Sequence, residues 1–285
     1  MQIEKVKKLS NLQILAYWIK ERESIRLKKE QGLPKPWTDD ETLQKYRFCN
    51  VRRMDDKVSR WFLDNWFEPY FDHPNMLLAC VMGRNFNRPE ALAEVTNLIF
   101  CKGPPKLGLI LDKLRKIKNS GSCIFGGAYM IRGTANEDKA KMVLYRVVKP
   151  MLSNPPAMDR TSMQRCVESL LTYWGFRPFL AGQVVADYRW AVKGSFEDRD
   201  TWAPLGPGSL RGINKLHGRL CAQPLPQDQF VTELNELIGL AKPLIPVSVT
   251  NRMEAMDWQN CLCEFDKYTR IFEKLGHPKQ KYPGV

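Results

Sequence analysis

The spacing of apolar residues constrains the fold of this chain most, because it is helical almost from end to end. In the opening segment, residues 2–31, apolar residues return every three or four positions among charges, and Gly32 and Pro34 end the pattern. The same spacing recurs at 55–66, 89–101, 106–118 and 162–174. Strand-like alternation is nearly absent, so the sequence predicts a mainly α fold.

Three short segments carry local sequence patterns, two of them typical of a strand and one typical of a helix start. Residues 124–131 are expected to form a short strand or an extended loop, and residues 247–250 are a second strand candidate. Thr38 is predicted to cap the second helix, with Glu41 at the capping-box position.

The segment 162–190 has the pattern of two helices joined by a tight turn. A helical period over 162–174 is broken by Gly175, the turn sequence GFRPF follows at 175–179, and helical character resumes to residue 190. This pattern predicts a helix-hairpin-helix. A length of 285 residues fits a single helical unit over 1–285 or two lobes with a boundary near 135–155.

The charge balance favours a polyanionic partner. Lys and Arg number 44 against 31 Asp and Glu, which gives a net charge of +13. Such an excess is typical of proteins that bind nucleic acid, with an anionic membrane surface or a merely solubilising surface as alternatives. No apolar run is long enough to span a membrane, and no membrane association is expected.

The cysteine and histidine content argues against disulfides and metal. The eight cysteines are scattered and no secretory signal precedes them, so reduced thiols and a cytoplasmic location are expected. The sequence has three histidines and neither C-x-x-C nor H-E-x-x-H, so we expect no metal and no cofactor.

A loop that leads into a basic helix is a candidate anion site. Gly206 and Gly208 precede the helix, and Arg211, Lys215 and Arg219 lie on nearly successive turns. The alternative is a structural turn followed by a solvated basic face. The loop does not match the P-loop pattern G-x-x-x-x-G-K-[ST], which disfavours a kinase of that class.

The segment 46–56 mixes aromatic, amide and guanidinium groups. Such a set can stack on bases and bind phosphates. The candidates are Tyr46, Phe48, Asn50, Arg52 and Arg53. The alternative is a local network in which Asp55 and Asp56 neutralise the two arginines.

Several carboxylates are candidates for catalysis. Asp187 lies in an otherwise apolar helix, where either Arg189 or a functional cleft would account for it. In the last helix Glu264 and Lys267 belong to one polar stripe, which is typical either of a general base or of an ion-paired structural helix. Asp266 lies off that stripe, and Asp200 lies in the loop before the basic helix.

Five segments together resemble a known family. They are PWTDD at 36–40, RFCNVRRMDD at 47–56, FLAGQVVAD at 179–187, GPGSLRGIN at 206–214 and CLCEFDKY at 261–268. They resemble the helical domain of 5-hydroxymethyl-deoxyuridine DNA kinases, also called alpha-glutamyl/putrescinyl-thymine pyrophosphorylase-like. The likeness runs from about residue 15 to residue 282.

The resemblance implies an all-helical fold related to helix-hairpin-helix DNA glycosylases, acting on phage-type modified pyrimidines. A base taken out of the duplex would need a pocket, for which the candidates are Tyr46, Phe48, Asn50 and Trp202. The DNA-binding candidates are Arg52, Arg53, Arg177, Arg211, Lys215, Arg219 and Lys267. Counting from the hairpin puts the family's aspartate near Asp198, but the following helix does not align with that position. The catalytic candidates are Asp187, Asp200, Glu264 and Asp266.

Three functions follow as expectations. The first is a DNA glycosylase that flips a hypermodified pyrimidine out of double-stranded DNA and cleaves its glycosidic bond, in anti-phage defence within a bacterial or phage-infected cell. The second is a transferase that replaces pyrophosphate on 5-pyrophosphoryloxymethyluracil with an amino acid or amine. The third is a non-catalytic DNA-binding module. No obligate protein partner is expected.

Overall fold

The computed structural model describes residues 9–127, 137–273, 275–276 and 281–282. These residues form helices and turns, with an isolated antiparallel bridge between Tyr46 and Lys281 and no strand among them. The predicted mainly α class is therefore confirmed. In the described part of the chain, no helix has the length and apolarity needed to cross a membrane.

The chain divides into two compact units. The terminal unit comprises Met1–Asp56 and Arg199–Val285, and the inserted unit comprises Lys57–Asp198. The sequence placed a lobe boundary near 135–155 instead. The described part of that segment lies inside the inserted unit, because its helices are packed on others of that unit.

Fifteen α-helices are described. The terminal unit begins with α1 (Asn11–Glu30) and α2 (Glu41–Lys45). The inserted unit contains α3 (Lys57–Phe62), α4 (Met76–Phe86), α5 (Pro89–Ala93), α6 (Thr96–Ile99), α7 (Leu107–Asn119), α8 (Lys139–Met142), α9 (Lys149–Ser153), α10 (Met163–Leu171) and α11 (Pro178–Ala191). The terminal unit resumes with α12 (Pro207–Leu216), α13 (Gln227–Ala241), α14 (Val247–Thr250) and α15 (Ala255–Phe272). Helix α3 continues as a π-helical turn, Leu63–Phe67, and a second such turn, Val143–Val148, joins α8 to α9.

The first two helices begin at polar caps. Helix α1 begins after Ser10, whose hydroxyl accepts a hydrogen bond from the Gln13 N–H, and residues 2–8 of the predicted helix lie outside the described residues. Helix α2 is capped by Asp40, which accepts from the Leu43 N–H at 3.0 Å. The predicted cap, Thr38, is wrong because its hydroxyl donates to Glu21 at 2.6 Å instead.

The strand candidates are not strands in the described residues. Residues 247–250 form α14, in which the Thr250 N–H bonds back to the Pro246 carbonyl at 3.2 Å. The proline sets the φ angle at the helix start, and this local geometry outweighs the β-branched composition. Residues 124–127 form no strand, and residues 128–131 lie outside the described residues.

Two glycines let α12 lie directly against α15. A Cβ atom added to Gly208 would lie 2.1 Å from the Cys263 Sγ, and one added to Gly212 would lie 2.3 Å from the Leu262 carbonyl oxygen. The apolar stripe of α15 is buried as its spacing predicts, with Trp258, Leu262 and Phe265 almost fully enclosed. The close contact fixes the side chains of α12 relative to those of α15.

The inserted unit contains the predicted pair of helices around 162–190. Helices α10 and α11 pack on each other and are joined by a turn in which Gly175 has φ +88°. The Asp198 carboxylate caps α10, accepting from the Met163 N–H at 2.7 Å and the Gln164 N–H at 3.0 Å. The helix-turn-helix arrangement is present, and its relation to the glycosylase fold stays a prediction.

Candidate functional site

Four of the five segments that suggested a family meet in the terminal unit, around α15. The Cys49 N–H donates to Glu264 at 3.0 Å, and the Arg53 N–H donates to Asp257 at 2.8 Å. The Tyr268 hydroxyl donates to Asp40. Segments that are more than 200 residues apart along the chain are thus joined by direct hydrogen bonds.

The centre of this arrangement is a group of charged side chains that we call the α15 cluster: Arg211, Glu264, Asp266, Lys267 and Arg270. Asp266 is 1% exposed and holds two guanidinium groups. Its Oδ2 accepts from Arg211 Nε at 2.8 Å and lies 3.4 Å from Arg270 Nε. Both arginine side chains are 36% exposed, so each keeps N–H donors that a ligand can reach.

The other half of the cluster is an ion pair on the same helix. Lys267 Nζ donates to Glu264 Oε2 at 3.0 Å and to the Arg47 carbonyl at 2.9 Å. Its ammonium also lies 4.5 Å from the centre of the Phe48 ring. Glu264 is buried, whereas 23% of the Lys267 side chain is exposed. The cluster therefore exposes cations and buries the carboxylates that hold them.

Two cysteines border the cluster. Burial and then the neighbouring Glu264 carboxylate raise the pKa of Cys263 to about 11. Burial and then Glu264 likewise hold the pKa of Cys49 well above its usual value. Both thiols are protonated at neutral pH, which argues against a nucleophilic role for them.

Two predicted DNA-binding residues, Lys215 in α12 and Arg219 after its end, make internal ion pairs. Lys215 is 8% exposed and donates to Thr269 at 2.6 Å and to Glu273 at 2.7 Å, and its Nζ lies 3.7 Å from Asp266 Oδ1. Arg219 forms a two-point ion pair with Glu233. Gly208 lies in the first turn of α12 and packs against Cys263, so it does not form the predicted anion cradle.

The front arginines differ in exposure. Arg52 is buried and bound by Asp55 and Glu23, so contact with phosphate would first break these pairs. Of the alternative network that the sequence offered, the pair of Arg52 with Asp55 is present, and Glu23 was not foreseen. Arg53 is partly exposed, and Arg177 is exposed just before α11 in the inserted unit.

The four predicted base-pocket residues are engaged in the protein interior. Phe48 packs edge-on against Trp18 and Tyr268. Tyr46 and Trp202 are buried at 5% and 6% exposure. The Asn50 amide accepts from Arg22 and donates to the Asp55 carbonyl. Aromatic composition alone does not distinguish rings of the core from rings that line a pocket. For this reason the sequence predicted these residues as pocket residues.

The remaining carboxylates lie in contrasting surroundings. Asp187, in the inserted unit, is 1% exposed and forms a two-point ion pair with Arg84, in place of the suggested Arg189. Asp200, in the terminal unit, is 60% exposed and lies 3.4 Å from Arg199. Glu264 and Asp266 thus both lie on α15, each with its own cationic partners, while Asp187 belongs to the other unit.

Sequence reasoning missed a buried carboxylate with two tyrosines. Asp40 is fully buried and accepts from the hydroxyls of Tyr17, at 3.1 Å, and Tyr268. Burial and then the Asp40 charge raise the pKa of both tyrosines. Arg270 was not among the predicted site residues, although the sequence places it near Asp266. Its signal was its position four residues after Asp266, a spacing that allows an ion pair on a helix.

No group of His, Cys, Asp or Glu suited to a metal occurs among the described residues.

Comparison with known proteins identifies relatives in sequence, and no solved structure matches the chain. A curated relative from Bacillus phage SP10, named 5-hmdU DNA kinase, is 26% identical over 220 residues, 68% of this chain and 34% of the relative. The chain thus spans about a third of that relative's length. The family model described as "5-hmdU DNA kinase, helical domain" matches residues 10–277, which include all the segments joined around α15, and the chain therefore belongs to that family.

Proposed function

We propose that this chain acts on DNA that carries a modified pyrimidine, as a transferase that displaces a phosphate-type leaving group from the base. The observation that carries this proposal is the pair of half-exposed guanidinium groups, Arg211 and Arg270, held by the buried Asp266 carboxylate. Guanidinium groups bind phosphate oxygens through paired N–H donors, and a fixed guanidinium loses little entropy on binding.

The substrate class follows from the family and the charge. The relative is named for 5-hmdU DNA, and the net charge of +13 favours a polyanion. We infer that the substrate is DNA in which 5-hydroxymethyluracil carries a pyrophosphate on its hydroxymethyl oxygen. An amino acid or amine would be the second substrate.

Each residue of the cluster then has a role. Arg211, Arg270 and Lys267 bind the pyrophosphate and stabilise the negative charge that grows as it leaves. The amine nitrogen attacks the methylene carbon, a C–N bond forms, and the C–O bond to pyrophosphate breaks. Glu264 accepts the proton that the amine loses. Asp266 and Lys215 act as positioning residues, because they are buried and hold the arginine and each other in place.

A second candidate is cleavage of the glycosidic bond, and the exposure of Asp200 favours it. Asp187, Glu264 and Asp266 are buried and paired with cations, whereas Asp200 is 60% exposed and meets only its neighbour Arg199 among the described residues. An exposed carboxylate can stabilise positive charge on the sugar or align a water.

One incubation distinguishes the two. The protein is mixed with duplex oligonucleotides containing 5-pyrophosphoryloxymethyluracil, 5-hydroxymethyluracil or thymine, with and without an amine. Nucleoside mass analysis and alkaline cleavage are then carried out. The transferase gives intact strands with an aminated base only from the pyrophosphorylated duplex with amine. Alkali-labile sites with free base, lost in Asp200→Asn, would support the glycosylase and overturn the transferase.

Substitutions test the roles. Arg211→Gln is expected to lower product formation more than about tenfold, since one charge-assisted phosphate contact is lost. Glu264→Gln should retain DNA binding and lose product. Arg252→Gln is the matched control, because Arg252 is exposed and lies outside the cluster. Equal activity of Arg211→Gln and the control would contradict the assignment.

A further inference from the structure

Three cations surround two aromatic rings beside the end of α1. We call this group the Lys29 patch: Lys29, Lys35, Trp37, Arg47 and Tyr282. The ring centres of Trp37 and Tyr282 are 6.1 Å apart. Lys29 Nζ lies 5.1 and 5.3 Å from their two centres, and Lys35 Nζ lies 5.4 and 5.5 Å from them. The Arg47 guanidinium lies 5.5 Å from the Tyr282 ring.

The charges of the patch are not neutralised by acids. All three cationic side chains are exposed, and none of them forms an ion pair with any residue that the structure describes. Partial desolvation beside the two rings, followed by repulsion from Arg22, Arg47 and Lys35, lowers the pKa of Lys29. Aromatic rings hold cations in place without cancelling their charge. The patch therefore concentrates positive charge at a net electrostatic cost to the free protein.

The patch is continuous with the α15 cluster. The Arg47 carbonyl accepts a hydrogen bond from Lys267 at 2.9 Å, while the Arg47 side chain belongs to the patch. Tyr282 is held there by its N–H, which donates to the Lys45 carbonyl at 3.1 Å. One residue thus links the exposed cations to the cluster in which the modified base would be bound.

We propose that the Lys29 patch binds the backbone phosphates of a DNA strand, next to the nucleotide held at the α15 cluster. The proposal rests on the proposed function for the nature of the strand. Three cations without ion-pair partners among the described residues can neutralise backbone phosphates, and the half-buried rings keep the two lysines in position. A DNA strand is favoured over an anionic membrane because the patch runs into the α15 cluster.

The test is a triple variant, Lys29→Gln, Lys35→Gln and Arg47→Gln. Binding of a fluorescein-labelled DNA oligonucleotide, single-stranded and as a duplex, is followed by anisotropy from low to high salt. Loss of two to three phosphate contacts should flatten the salt slope by about 2 and weaken binding roughly 20- to 100-fold at 0.1 M salt. The folded state is checked by thermal unfolding, where the variant should match or exceed the wild type because repulsion is relieved.

A second triple variant controls for net charge. Lys20→Gln, Lys242→Gln and Arg252→Gln remove the same charge from exposed positions of the same unit that lie outside the patch. This control should weaken binding less than about threefold. Equal losses in the two variants would overturn the site, because only total charge would then matter. Loss of binding to phosphatidylserine vesicles with unchanged DNA binding would overturn it in favour of a membrane.

The outcomes separate this site from the proposed function. If the wild-type protein binds no DNA, both fail. If the patch variant binds DNA as the wild type does, and still forms the aminated base, only the patch is wrong. If the patch variant loses binding while no product is ever formed by the wild type, the patch is supported and the transferase is wrong.

Discussion

Two buried aspartates, one in each unit, are both held by arginine and differ in what surrounds the cation. In the inserted unit, Asp187 pairs with Arg84, which is 2% exposed and also donates to Ser59 at 3.0 Å. In the terminal unit, Asp266 pairs with Arg211, which is 36% exposed. The same ion pair is enclosed in one unit and open to solvent in the other.

The difference in arginine exposure indicates which of the two ion pairs is able to bind a ligand. Arg84 is also covered by the Phe62 ring, 4.9 Å from its guanidinium carbon, so its donors face only protein groups. Burying both charges removes them from water, and their attraction then mainly offsets that desolvation. Arg211 keeps donors in solvent while its anchor stays buried, which is the arrangement that phosphate binding requires.

The largest expected effect comes from breaking the enclosed pair. Asp187→Asn leaves the Arg84 guanidinium buried without its counter-ion, so the free energy of unfolding should fall by about 3–5 kcal/mol. Urea unfolding measures this loss. DNA affinity per folded molecule should stay at the wild-type value, because neither charge is exposed.

Asp200→Asn is the control for this substitution, since the exposed Asp200 carboxylate contributes little to stability. A stable Asp187→Asn protein that binds DNA and forms no product would reverse the comparison. It would make Asp187 the catalytic group and the enclosed pair the functional one.

A smaller effect is expected when the helix contact beneath the open pair is disturbed. In Gly212→Ala the new Cβ would lie 2.3 Å from the Leu262 carbonyl oxygen, so α12 must move away from α15. Overpacking of this kind costs about 1–3 kcal/mol. The shift would also separate Arg211 from Asp266, so phosphate-dependent DNA binding should weaken together with stability.

Gly239→Ala is the matched control, because Gly239 lies in α13 with no atom within 4 Å of the added Cβ. It should be neutral or stabilise by up to about 1 kcal/mol through helix propensity. Urea unfolding of the two variants measures the difference in their free energies of unfolding. Equal stability of the two would show that α12 and α15 adapt to a wider spacing.

The last prediction concerns the reactivity of two thiols, one in each unit. Burial and then Glu264 raise the pKa of Cys263 to about 11, and burial and then Asp159 raise the pKa of Cys166, in the inserted unit, to about 12. The thiolate fraction falls about tenfold per pKa unit, so near pH 8 Cys263 should react with iodoacetamide roughly 100-fold more slowly than an exposed thiol.

Peptide mass mapping after timed alkylation measures these rates, with the exposed Cys123 as the internal reference. As the pH rises towards 11, Cys263 should react before Cys166, because its pKa is lower and it is partly exposed. Rapid alkylation of Cys263 at pH 8 would mean that the α15 cluster is more open than the structure describes.

Local pattern predicted much of the fold and part of the site. The apolar spacing of α15 predicted its buried face, and the pairing of Glu264 with Lys267 followed from their separation by three residues. The packing role of Gly208 and Gly212 was not predictable, since glycine in the first turns of a basic helix is compatible with an anion site or with close packing. The packing role of these glycines is set by Cys263 and Leu262, which lie some 50 residues away along the chain.

Long-range partners explain the other differences. Arg84 and Asp187 are 103 residues apart, so no local spacing could pair them, and Arg189 was the nearer candidate. Phe48 and Tyr46 were placed in a pocket because stacking on a base and packing in a core need the same rings. Burial decided between these roles.

The sequence by itself determined that this chain is helical, basic and a member of its family, because periodicity, net charge and ordered motifs are properties of residue order. Which charged groups are open to solvent depends on the tertiary structure. Of the cations considered, Arg84 and Lys215 are enclosed, Arg211 is partly exposed, and the three cations of the Lys29 patch are exposed. The physical reason is that the role of a charge depends on its solvation and its partner, and both are set by elements distant in the chain.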